Sequence, residues 1–364
     1  MIPLSRPIIT EEMKRQVLEV LDSGRFANGP NVEQFEELFA SYCNAKWATA
    51  VTNGTSAMYI ALRALDIGIG DEVACPSFSF IATASPLLLL GAKPVFIDIG
   101  DDYTMDIEDL KRKIGKKTKA VITVHLYGQM GDMEKLMELK RQHHFYLVED
   151  ACHAHGAEYH GNKSGSFGDI ACFSFYPSKN MTVAGEGGMV LTNDKDLDAR
   201  LKALRDQGVF TREGGGRDTS QLLGFNFRMS EIPAAIGIAQ LKHLDDWIEM
   251  RRELARQYHE GLPQDVVKPL EQPGRKHVYN LYVIRTPRRD DLSRRLLEDG
   301  IETGIHYRTP IHRQPVFLEE VHLPKTEDFC SQILSLPMYP GLKREQQQYI
   351  CHRIENFLGK KTNK

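Results

Sequence analysis

The sequence predicts an α/β protein in two parts: a mostly parallel, seven-stranded sheet covered by helices, then a smaller α+β unit. Three observations carry this. The chain has 364 residues, enough for two domains at roughly 100 to 200 residues each. Its first two-thirds alternate short β-branched runs with longer segments whose apolar residues recur every three or four positions, the pattern of strands joined by covering helices. Near residue 245 this alternation gives way to shorter, mixed elements, so a large domain is expected over 1–245 and a small one over 246–364.

Strands are expected at 48–52, 72–75, 94–98, 120–124, 145–149, 170–175 and 189–192, each a short run of apolar and β-branched residues. After the first, Ala57, Ile60, Ala61, Ala64 and Leu65 mark one buried face of a helix. The apolar run 81–90, interrupted by Thr83, Ser85 and Pro86, reads as a buried helix rather than a membrane span, which needs roughly 20 apolar residues. Ser230, Glu231 and an early Pro233 make a good helix start, and nothing breaks the pattern until about Tyr258, so one long helix is expected to lead out of the first domain. Beyond it, 280–285 reads as a strand, 290–299 as a helix, 302–306 as a strand and 344–357 as a helix, with a frayed Lys-rich tail over 359–364.

Composition narrows the function classes. The 46 Lys and Arg against 49 Asp and Glu leave a net charge of -3, with no basic field to hold a nucleic acid. Residues 1–7 lack the basic and apolar regions of a secretion signal. Six scattered cysteines without a C-x-x-C pair read as free thiols. The expectation is a cytoplasmic protein with neither membrane nor nucleic-acid partner.

Ligands of open α/β sheets gather outside the carboxyl ends of the strands, and four features fall at such ends. Asn53-Gly54-Thr55-Ser56 lies between a strand and a helix, where Gly54 permits close approach and the amides and hydroxyls form an anion cradle; a plain capping turn has the same look. Asp150, at the tip of 145–149, either pairs with a cationic ring nitrogen or caps the next segment. Lys179 sits in a Pro-bent turn after a strand, where desolvation lowers an amine's pKa toward the range of a Schiff-base nucleophile. Behind it, Gly185-Glu186-Gly187-Gly188 returns into a strand, its three glycines leaving space for a bulky group against backbone. Phe78 and Phe80 follow the second strand, and one of these rings can stack on a planar cofactor or serve the core. A phosphate cradle, a ring-nitrogen acid, a stacking ring and an aldehyde-trapping lysine are what pyridoxal 5'-phosphate asks of a protein. His153, His155 and His160 beside Asp150 fit no metal-binding spacing, and no metal is expected.

At these blocks the sequence resembles the nucleotide-sugar aminotransferases of the DegT and StrS type, fold-type I pyridoxal-phosphate enzymes. The likeness runs from 4–7 and 24–30 to 334–340, and is most specific in 124–129, 149–157, 165–169 and the Lys179 block with its glycine-rich tail. The resemblance implies that Lys179 carries the cofactor and Asp150 pairs with its ring nitrogen. It places Phe80 on the cofactor ring and His153 near the ring and its 3-hydroxyl, with Gly54, Thr55, Ser56 and Ser174 at the phosphate. Asn226 matches an asparagine that reaches the phosphate of a neighbouring subunit, which implies a homodimer with shared sites. Arg228, His306, Tyr307 and His312 fall in regions near the sugar-nucleotide, while Arg308 stands where the family usually has Pro. Glu186 is read as supporting.

The reaction so implied moves an amino group from glutamate or glutamine, through the pyridoxamine form of the cofactor, to a keto group of a nucleotide-linked sugar, with a 4-keto hexose as the expected acceptor. A 3-keto sugar nucleotide, a keto-cyclitol, a cyclic keto-acid and a non-catalytic regulator on the same scaffold are the alternatives. Sugar dehydratases of the same fold replace the lysine with histidine, and Lys179 argues against that reaction.

Overall fold

The computed structural model describes residues 1–210, 219–317 and 320–359. Of the expected tail, 360–364 lie outside the described residues. Two helices that apolar periodicity had not singled out open the chain. Helix α1 (Glu11–Ser23) is capped by Thr10, which accepts from the Met13 amide at 3.2 Å. Helix α2 (Pro30–Tyr42) begins on Pro30, and the amides of Gly29 and Asn31 are both taken by the Glu231 carboxylate at 2.9 Å.

The alternation then follows: β1 (Trp47–Val51), α3 (Gly54–Ala64), β2 (Glu72–Pro76), α4 (Ser85–Leu90), β3 (Lys93–Ile97), α5 (Ile107–Lys113), β4 (Thr118–Val124), α6 (Met133–His143) and β5 (Tyr146–Asp150). A short β6 (Glu158–Tyr159) and β7 (Asn162–Lys163) precede β8 (Ile170–Ser174), β9 (Gly188–Thr192) and α7 (Lys195–Arg205). Helices α8 (Glu231–Leu241) and α9 (Leu244–Gly261) lead to β10 (Arg275–Lys276), β11 (Tyr282–Arg285), α10 (Arg289–Glu298), α11 (Pro324–Gln332), β12 (Ile333–Leu336) and α12 (Arg344–Gly359).

The large sheet has the order β1-β9-β8-β5-β4-β2-β3. Neighbours from β3 to β8 pair in parallel, and β9 runs antiparallel to both β8 and β1. Its strands are buried on both faces, which explains their near-continuous apolar character. In β8, Ala171 and Phe173 join one apolar layer while Ile170 and Cys172 join the other, and β9 repeats this with Met189 and Leu191 against Val190. A separate apolar cluster lies over the two-stranded sheet of β11 and β12, where Ile2 from the start of the chain packs with Tyr258, Tyr282, Leu296 and Ile350.

Three expectations need correction. The long helix over 230–258 is two helices, broken at Lys242 and His243. Helix α8 is buried nearly all round between α1 and α2, whereas α9 turns Leu254, Ala255 and Tyr258 toward the second cluster, and one straight rod cannot serve both. The segment 302–306 is no strand; its ladder contact is a single bridge from Gly304 to Ser335. The run 81–90 is a 3₁₀ turn followed by the short α4, with Pro86 in its first turn, which leaves Leu88 and Leu89 exposed. Among the described residues no helix is long and apolar enough to cross a membrane. All six cysteines are free thiols, five buried and Cys152 half-buried.

Candidate active site

Parallel strands end on one side, and the segments leaving β1, β2, β4, β5 and β8 meet there around a cavity of about 660 Å³. Of the residues expected at the site, Gly54, Thr55, Phe80, Asp150, His153, Ser174, Lys179, His306 and Tyr307 line it, together with Glu186 and Cys152.

The floor is made where β8 runs into its turn. The Lys179 amide closes on the Tyr176 carbonyl at 2.9 Å, with Pro177 at the second position of the turn, which fixes the lysine's direction of departure. Burial pushes the Lys179 amine below its ordinary pKa against the smaller opposing pull of Cys152 and Asp150, so the neutral, nucleophilic form is the more accessible.

Asp150 ends β5 beside Val124 of β4 and Cys172 of β8. Its Oδ2 accepts from the Thr83 hydroxyl at 2.8 Å and its Oδ1 from the Cys152 amide at 3.3 Å. Thr83 is held in turn by Ser79 at 2.8 Å, so the carboxylate meets the cavity in one orientation. The preceding residue, Glu149, points the other way and takes the amides of Gly165, Phe167 and Gly168 and the His125 ring, all within 2.9 Å. Desolvation would raise the Glu149 pKa, but His125 and these amides outweigh it and hold it low.

At the opposite wall, Asn53 caps α3 by accepting from the Ser56 amide at 2.8 Å, leaving the amides of Gly54 and Thr55 without an intrahelical carbonyl. The Ser56 hydroxyl is committed to Thr52 at 2.9 Å and to the Asn53 backbone, so its part is to build the helix end rather than to face the cavity. A side chain at Gly54 would place Cβ 2.9 Å from Ser174 Cβ, and one at Gly188 would place it 2.4 Å from the Asn53 carbonyl oxygen. The space expected beside the glycine-rich return is therefore filled at Gly188 by the cap of α3, which is how the helix end comes to lie against Ser174.

Two histidines face the cavity uncharged. Burial, reinforced by the nearby Lys179, drives His153 well below the ordinary histidine pKa and His306 down to about 4. The Tyr127 amide donates to His153 Nδ1 at 3.3 Å, and Ser335 Oγ lies 2.9 Å from His306 Nδ1. Phe80, 53% exposed, presents its ring to the cavity and meets Tyr307 at 5.5 Å between centroids. His155 lies outside the cavity, enclosed by Phe39, Phe173 and Phe175, and His160 is exposed. Among the described residues no group of three or more metal-ligating side chains is gathered.

Besides Ser56, three expected residues are not brought to this cavity. His312 is buried between Ser77, 2.6 Å from Nδ1, and Glu327, 3.1 Å from Nε2, where it pins its loop to the end of β2. Asn226 is exposed on a segment laid against β1 through the Thr52 amide and the Phe227 carbonyl, and Arg228 of the same segment pairs with Asp206. Arg308 and Arg313 are solvated partners of Asp290 and Glu327. Thr83 and Tyr127, which support Asp150 and His153, were missed as functional. Thr83 had a signal, being a polar residue inside an apolar run that ends at the same cavity.

The donor set fits pyridoxal phosphate: a helix end with hydroxyls for its phosphate, an oriented carboxylate for its ring nitrogen, a ring to stack and a buried amine to hold it. A lysine whose pKa burial lowers and an oriented carboxylate, lining one cavity at the carboxyl ends of a mostly parallel sheet, mark the class of pyridoxal-phosphate-dependent aminotransferases, and the chain is one of them. More particularly, it belongs to the DegT/DnrJ/EryC1/StrS aminotransferase family, whose model matches residues 7–355. It is 41% identical over 361 residues to a pleiotropic regulatory protein of Geobacillus stearothermophilus, covering 95% of each. To the dTDP-3-amino-3,4,6-trideoxy-alpha-D-glucose transaminase of Streptomyces venezuelae it is 40% identical over 353 residues, 95% of this chain and 92% of the relative. The crystal structure of S. venezuelae DesV in complex with a ketimine intermediate superposes with a TM-score of 0.91 at 38% identity, covering 97% of this chain and 95% of that one.

Proposed function

We propose that this enzyme moves the amino group of glutamate or glutamine to the keto group of a nucleotide-linked hexose, working as a homodimer with shared sites. The observation that carries the reading is that Lys179 and Asp150 line one cavity of about 660 Å³, large enough for a cofactor and a sugar together. Bound pyridoxal phosphate supplies the electron sink that makes the substrate's α-proton removable.

The chain's own groups do the rest. Lys179 Nζ, its pKa lowered by burial, would take the proton from the donor's carbon and return it at the cofactor's C4' carbon, and would reverse the transfer for the acceptor. Asp150 holds the proton on the ring nitrogen. Phe80 would pack on the ring, and His153 would stand near its 3-hydroxyl. The Gly54 and Thr55 amides and the Thr55 and Ser174 hydroxyls would receive the phosphate, and Asn226 of a second copy would complete its site. His306 and Tyr307 meet the sugar as neutral groups. No arginine lines the cavity among the described residues, so the acceptor's diphosphate takes its cation from outside it, and Arg228 of the second copy is the residue we assign.

The ring carbon is proposed to be C4, on the family resemblance, since several members acting at C4 share a histidine at the position of His153. The S. venezuelae relative, whose name carries its amino group at position 3, is the counter-case. The test is incubation of the pyridoxamine form with 4-keto and 3-keto nucleotide sugars and a free keto-cyclitol, with mass detection of products. Amination of the 4-keto sugar nucleotide is expected. Amination of the 3-keto compound alone moves the assignment to C3, and amination of the cyclitol alone overturns the substrate class.

A further inference from the structure

Lys179 is held from the far half of the chain. Asn280 Nδ2 donates to the Ser178 carbonyl at 3.0 Å and to Asn180 Oδ1 at 3.3 Å, so one side-chain amide grips both residues that flank the lysine. Asn180 answers from its own Nδ2 to the Val278 carbonyl at 3.1 Å. Both asparagines are almost wholly buried, so these bonds have no water to replace them.

The strip that bears Asn280 also supports the opposite wall. The Val278 amide donates to the Gly128 carbonyl at 2.9 Å and the Leu281 amide to the Tyr127 carbonyl at 3.4 Å, and Tyr127 is the residue whose amide holds His153. Arg251 of α9 fixes the strip from behind. Its Nη1 donates to the carbonyls of Tyr279, Asn280 and Met338 at 3.3, 3.4 and 2.9 Å. It is buried against these carbonyls.

We propose that Asn280 is the positioning residue for Lys179: by gripping Ser178 and Asn180 it sets where the lysine's amine stands relative to Asp150 and His153, and Arg251 holds Asn280 in place to do so. Asn280 does not line the cavity and touches no reacting atom. The inference rests on Lys179 being the cofactor's lysine, as proposed above.

The experiment uses the full chain loaded with pyridoxal phosphate, as wild type, Asn280→Ala, Asn280→His and Asn180→Ala. Borohydride reduction and peptide mapping report which lysine is labelled. Single-turnover rate, acceptor KM and the pH midpoint of the bound cofactor's visible absorbance report how that lysine stands. Asn280→Ala is expected to keep the label on Lys179, shift the absorbance midpoint and slow single turnover by about 10- to 100-fold, the size of effect that a displaced reacting group produces. Acceptor KM stays within about twofold, and Asn280→His, which keeps one donor at the same distance from the backbone, recovers most of the rate. If Asn280→Ala does not fold, Asn180→Ala removes the other end of the grip and should show the same shift and slowing. An unchanged midpoint and rate in whichever variant folds overturns the proposal, as does an equal loss in the Ala and His variants at 280. Label on a different lysine in the wild type instead overturns the assignment of Lys179 itself.

Discussion

Asp150 and Thr83 show how much of the site's chemistry hangs on single contacts. The Thr83 hydroxyl and the Cys152 amide each take one lone pair of the carboxylate and leave the rest to the cavity, so Asp150 offers an acceptor without rotating. Asp150→Asn should keep the fold and part of the cofactor affinity yet lose most of the transamination rate, because a neutral amide cannot hold a proton on a ring nitrogen. Single-turnover rates near those of the wild type would reduce Asp150 to a cap. Thr83→Val keeps the shape and removes the bond, and a rate loss of about tenfold is expected from a hydrogen bond to a charged group worth about 1.5 kcal/mol. At this scale the meeting of Lys179 and Asp150 at one cavity was legible, because strand, turn and charge are local features. Ser56 and His312 were misplaced because hydroxyls and imidazoles serve caps and straps as readily as ligands, and what tells the two apart is a partner such as Ser77, 235 residues from His312. Asn280 was illegible for the same reason, since its grip on Ser178 spans 102 residues.

Among elements, α3 and β9 are fitted to one another at the closest backbone approach of the site. The Cβ of Gly188→Ala would stand 2.4 Å from the Asn53 carbonyl oxygen, with backbone on both sides and no flexible side chain to yield. The cap must shift, and a stability loss of about 1–3 kcal/mol is expected from overpacking of that kind. Because the same cap aims the Gly54 and Thr55 amides, pyridoxal-phosphate affinity should fall by more than Tm alone explains. Denaturant unfolding with and without cofactor separates the two, and an equal loss in both forms would deny α3 its part in binding. The large-sheet strands were readable to within two residues at either end, since double-faced burial writes an apolar run directly into the chain. The division of 230–258 into α8 and α9 was not, since no Gly or Pro marks it and only the position of the second apolar cluster demands it.

For the whole molecule, close packing leaves several histidines with no room for charge. Burial holds His155 and His277 at about 3 and His306 at about 4, against 6.5 in the unfolded chain, and depresses His153 further than an ordinary histidine as well. Between those limits the unfolded state binds more protons than the folded one, so stability falls as pH falls from about 6.5 toward 4. The slope is at most about 1.4 kcal/mol per pH unit for each histidine. Denaturant midpoints at pH 7 and pH 5 should differ in that direction, and His155→Phe, which keeps a ring among Phe39, Phe173 and Phe175, should flatten the dependence. A midpoint equal or higher at pH 5 would show that other groups dominate. Assembly is the other property of this scale. The cavity of one chain holds Lys179 but neither Asn226 nor Arg228, although both lie on a segment clamped to β1 and, at Asn226, open to solvent. If that segment completes a second copy's site, Lys179→Ala and Asn226→Ala are each inactive as homodimers for different reasons. A mixed dimer then contains one site with both defects and one with neither. Mixing under subunit exchange should approach about half of the wild-type activity per mixed dimer, and roughly a quarter overall if exchange is random. No recovery on mixing, together with an active species that sediments as a monomer, would remove the shared site and leave the diphosphate's cation to be sought within a single chain.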